Sequence, residues 1–153
     1  MAKKLDIQAF NNGLKCVSIG KLTNEVIYFL RNKYCGNNKI INNLNECEIL
    51  FWNDRIGHTE KHKENFNTPE EYYECLKSIP NIIKNPDYIG LHPNDNSIQY
   101  IKIISEIVLV AVRISHNRNA SYRTMYPITD SQLNDYIRKN RAWKFNRIID
   151  IIE

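Results

Sequence analysis

Ile107-Val108-Leu109-Val110-Ala111-Val112-Arg113-Ile114-Ser115 is apolar through six residues and then begins to alternate. With the side-chain period of two, Val108, Val110, Val112 and Ile114 form a wholly apolar face, while Leu109, Ala111, Arg113 and Ser115 point the other way. The first face has to be covered by helices, and Arg113 falls on the more open one. Three further segments of strand character surround this run: Tyr88 to Leu91, Ser97 to Ile104 and Ser121 to Ile128. They are separated by His92-Pro93-Asn94-Asp95-Asn96, by Ser105-Glu106 and by His116-Asn117-Arg118-Asn119. Connections this short make neighbouring strands antiparallel, so the segment reads as a meander. Alternation along the second strand assigns Tyr100 and Lys102 to the open face with Arg113. In the fourth strand Thr124, Tyr126 and Ile128 oppose Arg123 and Met125, and periodicity does not decide which set faces the helices.

Upstream of the meander the pattern is mainly helical. Val17 to Leu22 alternates like a short strand. Thr23 is an N-cap for a helix through Tyr34, with Val26, Ile27, Leu30 and Tyr34 on one stripe. Gly36 and five Asn residues make Cys35 to Glu46 the best loop. Glu48 to Trp52 is a strand, and Asn53 or Asp54 caps a helix carrying both His58 and His62. Thr68-Pro69-Glu70-Glu71 starts a helix that runs to about Ser78, because Thr at the cap, Pro at the first position and acids in the first turn all agree. A helical turn over Asn81 to Lys84 is stopped by Asn85-Pro86-Asp87. After the strands, Thr129 or Asp130 caps a last helix with Leu133, Tyr136, Ile137 and Trp143 inward. The expected architecture is α+β: N-terminal helices on one face of a four-stranded antiparallel sheet, a C-terminal helix, a polar extension over residues 1–16 and a single domain over 17–153.

A chain of 153 residues suits one core. The net charge of +4 is mildly favourable to a polyanion and decides little. Arg138, Lys139, Arg141, Lys144 and Arg147, interleaved with Tyr136, Trp143 and Phe145, read either as a phosphate-contacting face or as a solvated helix face. The four cysteines form no C-x-x-C pair, so neither a zinc ribbon nor a redox motif is indicated, and reduced thiols are expected. The six-residue apolar run is far below the roughly 20 residues that span a bilayer, so a soluble, cytoplasmic protein without a membrane partner is expected.

Chemistry-bearing residues concentrate in two places. Arg55-Ile56-Gly57-His58-Thr59-Glu60-Lys61-His62 offers two imidazoles one helical turn apart, and Tyr122-Arg123-Thr124-Met125-Tyr126-Pro127 offers a cation, a hydroxyl and a phenol. A histidine exchanges protons near neutral pH, a fixed cation holds phosphate oxygens, and Thr and Tyr donate hydrogen bonds. These are the groups that phosphodiester cleavage without a metal needs. The candidate catalytic set is His58, His62, Arg113, Thr124 and Tyr126. Lys102, Arg123, Tyr100 and Lys144 are candidate substrate contacts, although packing is the plainer role for Tyr100. His92 and His116 lie in turns and read as solvated.

Several short motifs occur in a telling order: Ile19-Gly20-Lys21-Leu22, Ile56 with His58 and His62, Ser78-Ile79-Pro80, Asn85-Pro86-Asp87-Tyr88-Ile89, Val110-Ala111-Val112-Arg113 and Arg123-Thr124-Met125-Tyr126-Pro127. In this order they resemble the phage-associated Barnase/EndoU/colicin/RelE-like nuclease family over about residues 17 to 130. The resemblance implies a small helical layer on a four-stranded antiparallel sheet, metal-independent RNA cleavage without a cofactor, and use as a toxin in phage or mobile elements opposed by an antitoxin or immunity protein. It matches His58 or His62 to the family's histidine on the helix before the sheet. Lys102, Arg113 and Thr124-x-Tyr126 match its basic and hydroxyl residues, and Thr124 with Tyr126 is similar to the last active-site strand of EndoU-type enzymes. Those enzymes place two catalytic histidines on separate elements, whereas here the pair is i, i+4 on one segment, and the residues leave open which of the two acts. Two other readings stand beside this one. A non-catalytic RNA- or protein-binding module would use the basic C-terminal segment, and a zinc-dependent hydrolase would use His58 and His62 as ligands, although H-T-E-K-H displaces the Glu of H-E-x-x-H and no third ligand is signalled.

Overall fold

The computed structural model describes residues 3–34, 39–95, 97–115 and 119–145. The meander is present as expected: β3 (Tyr88–Leu91), β4 (Ile98–Ile103), β5 (Ile107–Ile114) and β6 (Ala120–Ile128) pair antiparallel in sequence order. The sheet is wider than four strands, however. β2 (Cys47–Trp52) joins β6 in parallel through Ile49–Ala120 and Leu50–Ser121, and β1 (Cys16–Leu22) adds antiparallel to β2. At the other edge β7 (Ala142–Lys144) pairs with β3, giving a mixed seven-stranded sheet ordered β1-β2-β6-β5-β4-β3-β7. The expectation of four antiparallel strands fails because pairing between β2 and β6, some seventy residues apart, leaves no local trace in either strand.

Helices lie on both faces, not one. The larger core joins Val108, Val110, Val112 and Tyr100 to Val26, Ile27 and Leu30 of α2 (Asn24–Lys33), to Tyr72, Cys75 and Leu76 of α5 (Pro69–Lys77) and to Ile79, Ile82 and Ile83 of α6 (Ile79–Lys84). A smaller core on the reverse face holds Ile101, Leu109, Ile128 and Ala142 under Leu133 of α7 (Asp130–Arg138). The capping signals hold: Thr23 accepts from Val26 N–H, Thr68 from Glu71 N–H, and Thr129 with Gln132 closes a capping box. The N-terminal stretch is docked, since α1 (Ile7–Asn11) sets Phe10 against Phe51 and the Leu5 N–H donates to the Lys77 carbonyl. The expected loop over 35–46 contains the short helix α3 (Lys39–Asn42), while Cys35 and Gly36 lie outside the described residues. Cys16, Cys47 and Cys75 are free thiols.

The basic C-terminal segment is not one helix. α7 ends at Arg138, Asn140 turns the chain with φ 60°, and Trp143 belongs to a strand with its ring edge-on to Tyr34. Ile137, expected inward, is exposed, and Arg147 and His116 lie outside the described residues. The turn brings the backbone of Arg141 directly over β3 at Gly90, where an added Cβ would stand 1.6 Å from the Arg141 carbonyl oxygen. Only a residue without a side chain permits that crossing. Gly90→Ala should therefore push β7 off the sheet edge and destabilise the fold by about 1–3 kcal/mol, the usual cost of overpacking. A thermal midpoint equal to that of the unmodified chain would show that β7 is not held there.

Candidate functional site

The register between β4 and β5 decides which side chains share the reverse face. Ile103 pairs with Ile107, which leaves a connection of three residues, Ile104 to Glu106, where the sequence suggested two. One extra residue slips the register by one and turns every side chain of β4 to the opposite face. Tyr100 therefore pairs with Val110 inside the main core and is fully buried, and Lys102 pairs with Val108. Neither joins Arg113. The Lys102 ammonium donates to the Asn85 carbonyl at 2.7 Å and stands 4.0 Å from Asp87, tying down the turn before β3. Lys144 sits on β7, four strands from β6 or about 19 Å at ordinary strand spacing. Arg113 is on the reverse face as expected and is exposed.

A β-bulge in β6 settles the strand that periodicity left open. Ala111 pairs with Thr124 but Val112 pairs with Tyr122, so Arg123 is the extra residue. The bulge flips the phase of the strand: Tyr122 enters the main core, stacked on Phe51 at 4.4 Å, while Thr124 and Tyr126 line the reverse face. Two residues of equal parity thus end on opposite sides.

The same bulge positions the histidines. β2 pairs with β6 only as far as Ser121, and beyond that point α4 (Asp54–Glu60) and the turn after it lie along the free edge. The Arg55 guanidinium donates through Nε and Nη2 to the Arg123 carbonyl, at 2.9 Å from Nε, which satisfies a backbone acceptor on the bulged strand. One turn further on, buried Thr59 shares a 2.5 Å hydrogen bond with the Tyr122 hydroxyl. Two polar clamps therefore fix α4 against β6. His58 is on this helix, but the helix ends at Glu60 and His62 lies beyond Lys61 in the turn, so the pair does not share one helical face. The His62 ring packs against Tyr126 with centroids 5.5 Å apart.

Beside Tyr126 is a cavity of about 160 Å³ lined by His92, Asp95, Ser97, Gln99, Ala111, Arg123, Thr124 and Tyr126. Arg123 pairs with Asp95 at 2.6 Å. Burial raises the Asp95 carboxyl, but the Ser97 N–H bond and the neighbouring His92 and Arg123 bring it on balance below the ordinary range. The His92 Nδ1 lies 3.1 Å from the Asn94 N–H and 3.5 Å from the Asp95 carboxylate. His92, read from sequence as solvated, thus belongs to the site, on a separate element from His58 and His62. Arg141 stands close by, with its guanidinium 4.0 Å over the Tyr136 ring.

Burial, and then the positive charges of Arg55, Lys61 and Arg123 and the neighbouring His62, lower the His58 pKa; burial and Lys61 lower that of His62. Burial, then Tyr136, raises the Tyr126 phenol. Both imidazoles therefore favour the neutral form at pH 7, and His62 lies against a phenol that keeps its proton. His58 stands in the last turn of α4, away from the helix N-terminus, so its lowering comes from burial and nearby positive charge.

Structure therefore brings together His58, His62, Arg123, Thr124 and Tyr126, keeps Arg113 on the same face, and separates Tyr100, Lys102 and Lys144 from them. Sequence reasoning missed Arg55, Asp95 and Gln99. Arg55 carried a usable signal, being one turn before His58 on a helix that has to dock. Among the described residues, no three His, Cys, Asp or Glu side chains converge as metal ligands, and no helix is long and apolar enough to cross a membrane. A family model described as phage-Barnase-EndoU-ColicinE5/D-RelE like nuclease3 matches residues 31–135, more than half of the chain, and spans every residue of the site except Arg141. No curated protein and no solved structure matches.

Proposed function

We propose that this chain, which belongs to the phage-Barnase-EndoU-ColicinE5/D-RelE like nuclease family, is an endoribonuclease that cleaves by general acid–base transesterification without a metal ion. The observation that carries this reading is the convergence of an imidazole, a phenol and a guanidinium around one small cavity on the sheet. His62 is the preferred base because its ring touches a cavity-lining residue; His58, one turn away, is the alternative. The imidazole removes the proton of a ribose 2'-hydroxyl, whose oxygen forms a bond to the adjacent phosphorus while the bond to the 5'-oxygen breaks. Tyr126 delivers a proton to that leaving oxygen. The products are a 2',3'-cyclic phosphate and a 5'-hydroxyl end. Arg123, with Arg113 further along the same face, meets the charge that grows on the phosphoryl oxygens, and Thr124 donates a hydrogen bond. DNA lacks the nucleophile.

The family's phage, colicin and RelE associations support a toxin or mobile-element role, in which an antitoxin or immunity protein would restrain the enzyme in the cytoplasm of the producing cell.

The test is the pH dependence of RNA cleavage in the presence of EDTA. A base with a lowered pKa loses activity only as pH falls through that value, so the acid limb should lie below 6.5. An acid with a raised pKa loses activity only as pH rises past it, so the alkaline limb should lie above 10.0. The expected profile is a broad plateau rather than a narrow bell. Activity abolished by EDTA, or a limb between those two values, contradicts the assignment.

A further inference from the structure

We infer that the cavity beside Tyr126 is a seat for a single pyrimidine base; the inference rests on the ribonuclease reading and adds to it the chemistry of the substrate's recognised base. Gln99 is the key residue. It is 1% exposed, yet its Oε1 has no hydrogen-bond partner, and the buried Oγ1 of Thr124 has none either. The register places both at one level of the sheet, since Gln99 pairs with Ala111 and Ala111 with Thr124. Between the two polar side chains there is only a methyl group, and that gap is what opens the cavity.

An unpartnered buried acceptor is costly, so a ligand that supplies a donor is favoured over an empty cavity. A primary amide offers an acceptor and a donor side by side, which is the complement of the donor–acceptor edge of a nucleobase. Tyr126 adds an aromatic surface of the kind on which unstacked RNA bases rest. Size narrows the choice. The cavity of about 160 Å³ is on the scale of the roughly 150 Å³ space that holds one benzene ring, so one six-membered ring fills it and a fused purine would extend beyond it. Uracil and cytosine present opposite donor and acceptor orders, and rotation of the Gln99 amide serves either. With the base seated there, its own phosphate falls near Arg123 at the rim.

Binding and cleavage test this separately. The full chain is titrated with uridine, cytidine, adenosine and guanosine 3'-monophosphates, and its cut positions are mapped on an RNA of mixed sequence. The pyrimidine nucleotides should bind at least about 10-fold tighter than the purine ones, and cuts should fall beside pyrimidines. Gln99→Met, which keeps the volume and removes the amide, should reduce both preferences to about twofold or less; Gln99→Asn, which draws the amide back by one methylene and out of reach of the base, should reduce them too and serves if the Met variant does not fold. Equal binding of all four nucleotides, or evenly spread cuts, overturns the base seat and leaves the ribonuclease reading intact. Selective binding without any cleavage supports the seat and sinks the ribonuclease reading. A preference unchanged in the Gln99 variants also overturns it, showing that the base is recognised elsewhere.

Discussion

His62→Ala is expected to lower RNA cleavage by on the order of 10² to 10⁴, the usual contribution of a positioned general base. The imidazole is half-buried, and its ring contact among the described residues is with Tyr126, so the thermal midpoint should hardly move. His58→Ala should cost less, because it is the His62 ring that packs against the cavity-lining Tyr126, and the double variant should be about as inactive as His62→Ala alone. The acid limb of the pH profile should vanish with His62. If His58→Ala is the more damaging single variant, the roles exchange; if the double variant keeps full activity, these imidazoles are not part of the chemistry.

Arg123→Ala should lower cleavage by about 10² to 10³, the loss that follows removal of one preorganised transition-state donor. Its carbonyl, which receives Arg55, is untouched by the substitution, so α4 keeps its anchor. The ion pair with Asp95 is partly exposed and contributes about 1 kcal/mol or less to stability. Activity and stability should therefore separate. Arg113→Ala, on the same face but away from the cavity lining, should lose less. A collapse in stability with Arg123→Ala would mean that this side chain holds the β3–β4 turn and the phosphate is held elsewhere.

The contrast between what was legible and what was not follows the range of the interactions. β3 to β6 and the caps at Thr23, Thr68 and Thr129 were legible because alternation, short connections and cap chemistry are local signals. The parallel pairing of β2 with β6 was not, since it joins segments with no shared turn. The same holds within the site. His58, His62, Thr124, Tyr126 and Arg123 were identifiable by type, yet the face on which Thr124 and Tyr126 lie depends on one extra residue at the bulge, and Tyr100 and Lys102 were misplaced by one residue in a turn. Two-residue periodicity cannot register either event. Gln99 escaped notice for a different reason: alternation grouped it with Ile101 and Ile103, opposite Tyr100 and Lys102, and only its burial with an unpartnered amide oxygen marks it as unusual. β7 was hidden in a basic segment whose charge suggested a helix face, with Gly90 the sole sign that another chain crosses there.

The most direct measurement uses DNA oligonucleotides that carry one ribose each, with each of the four bases in turn at that position, incubated with the protein in EDTA. A single cut should appear immediately 3' of the ribose, leaving a 2',3'-cyclic phosphate on one fragment and a 5'-hydroxyl on the other. Cuts elsewhere in the deoxy backbone, a 5'-phosphate end, or loss of cleavage on chelation would contradict attack by the 2'-hydroxyl and with it the proposed chemistry of His62, Tyr126 and Arg123.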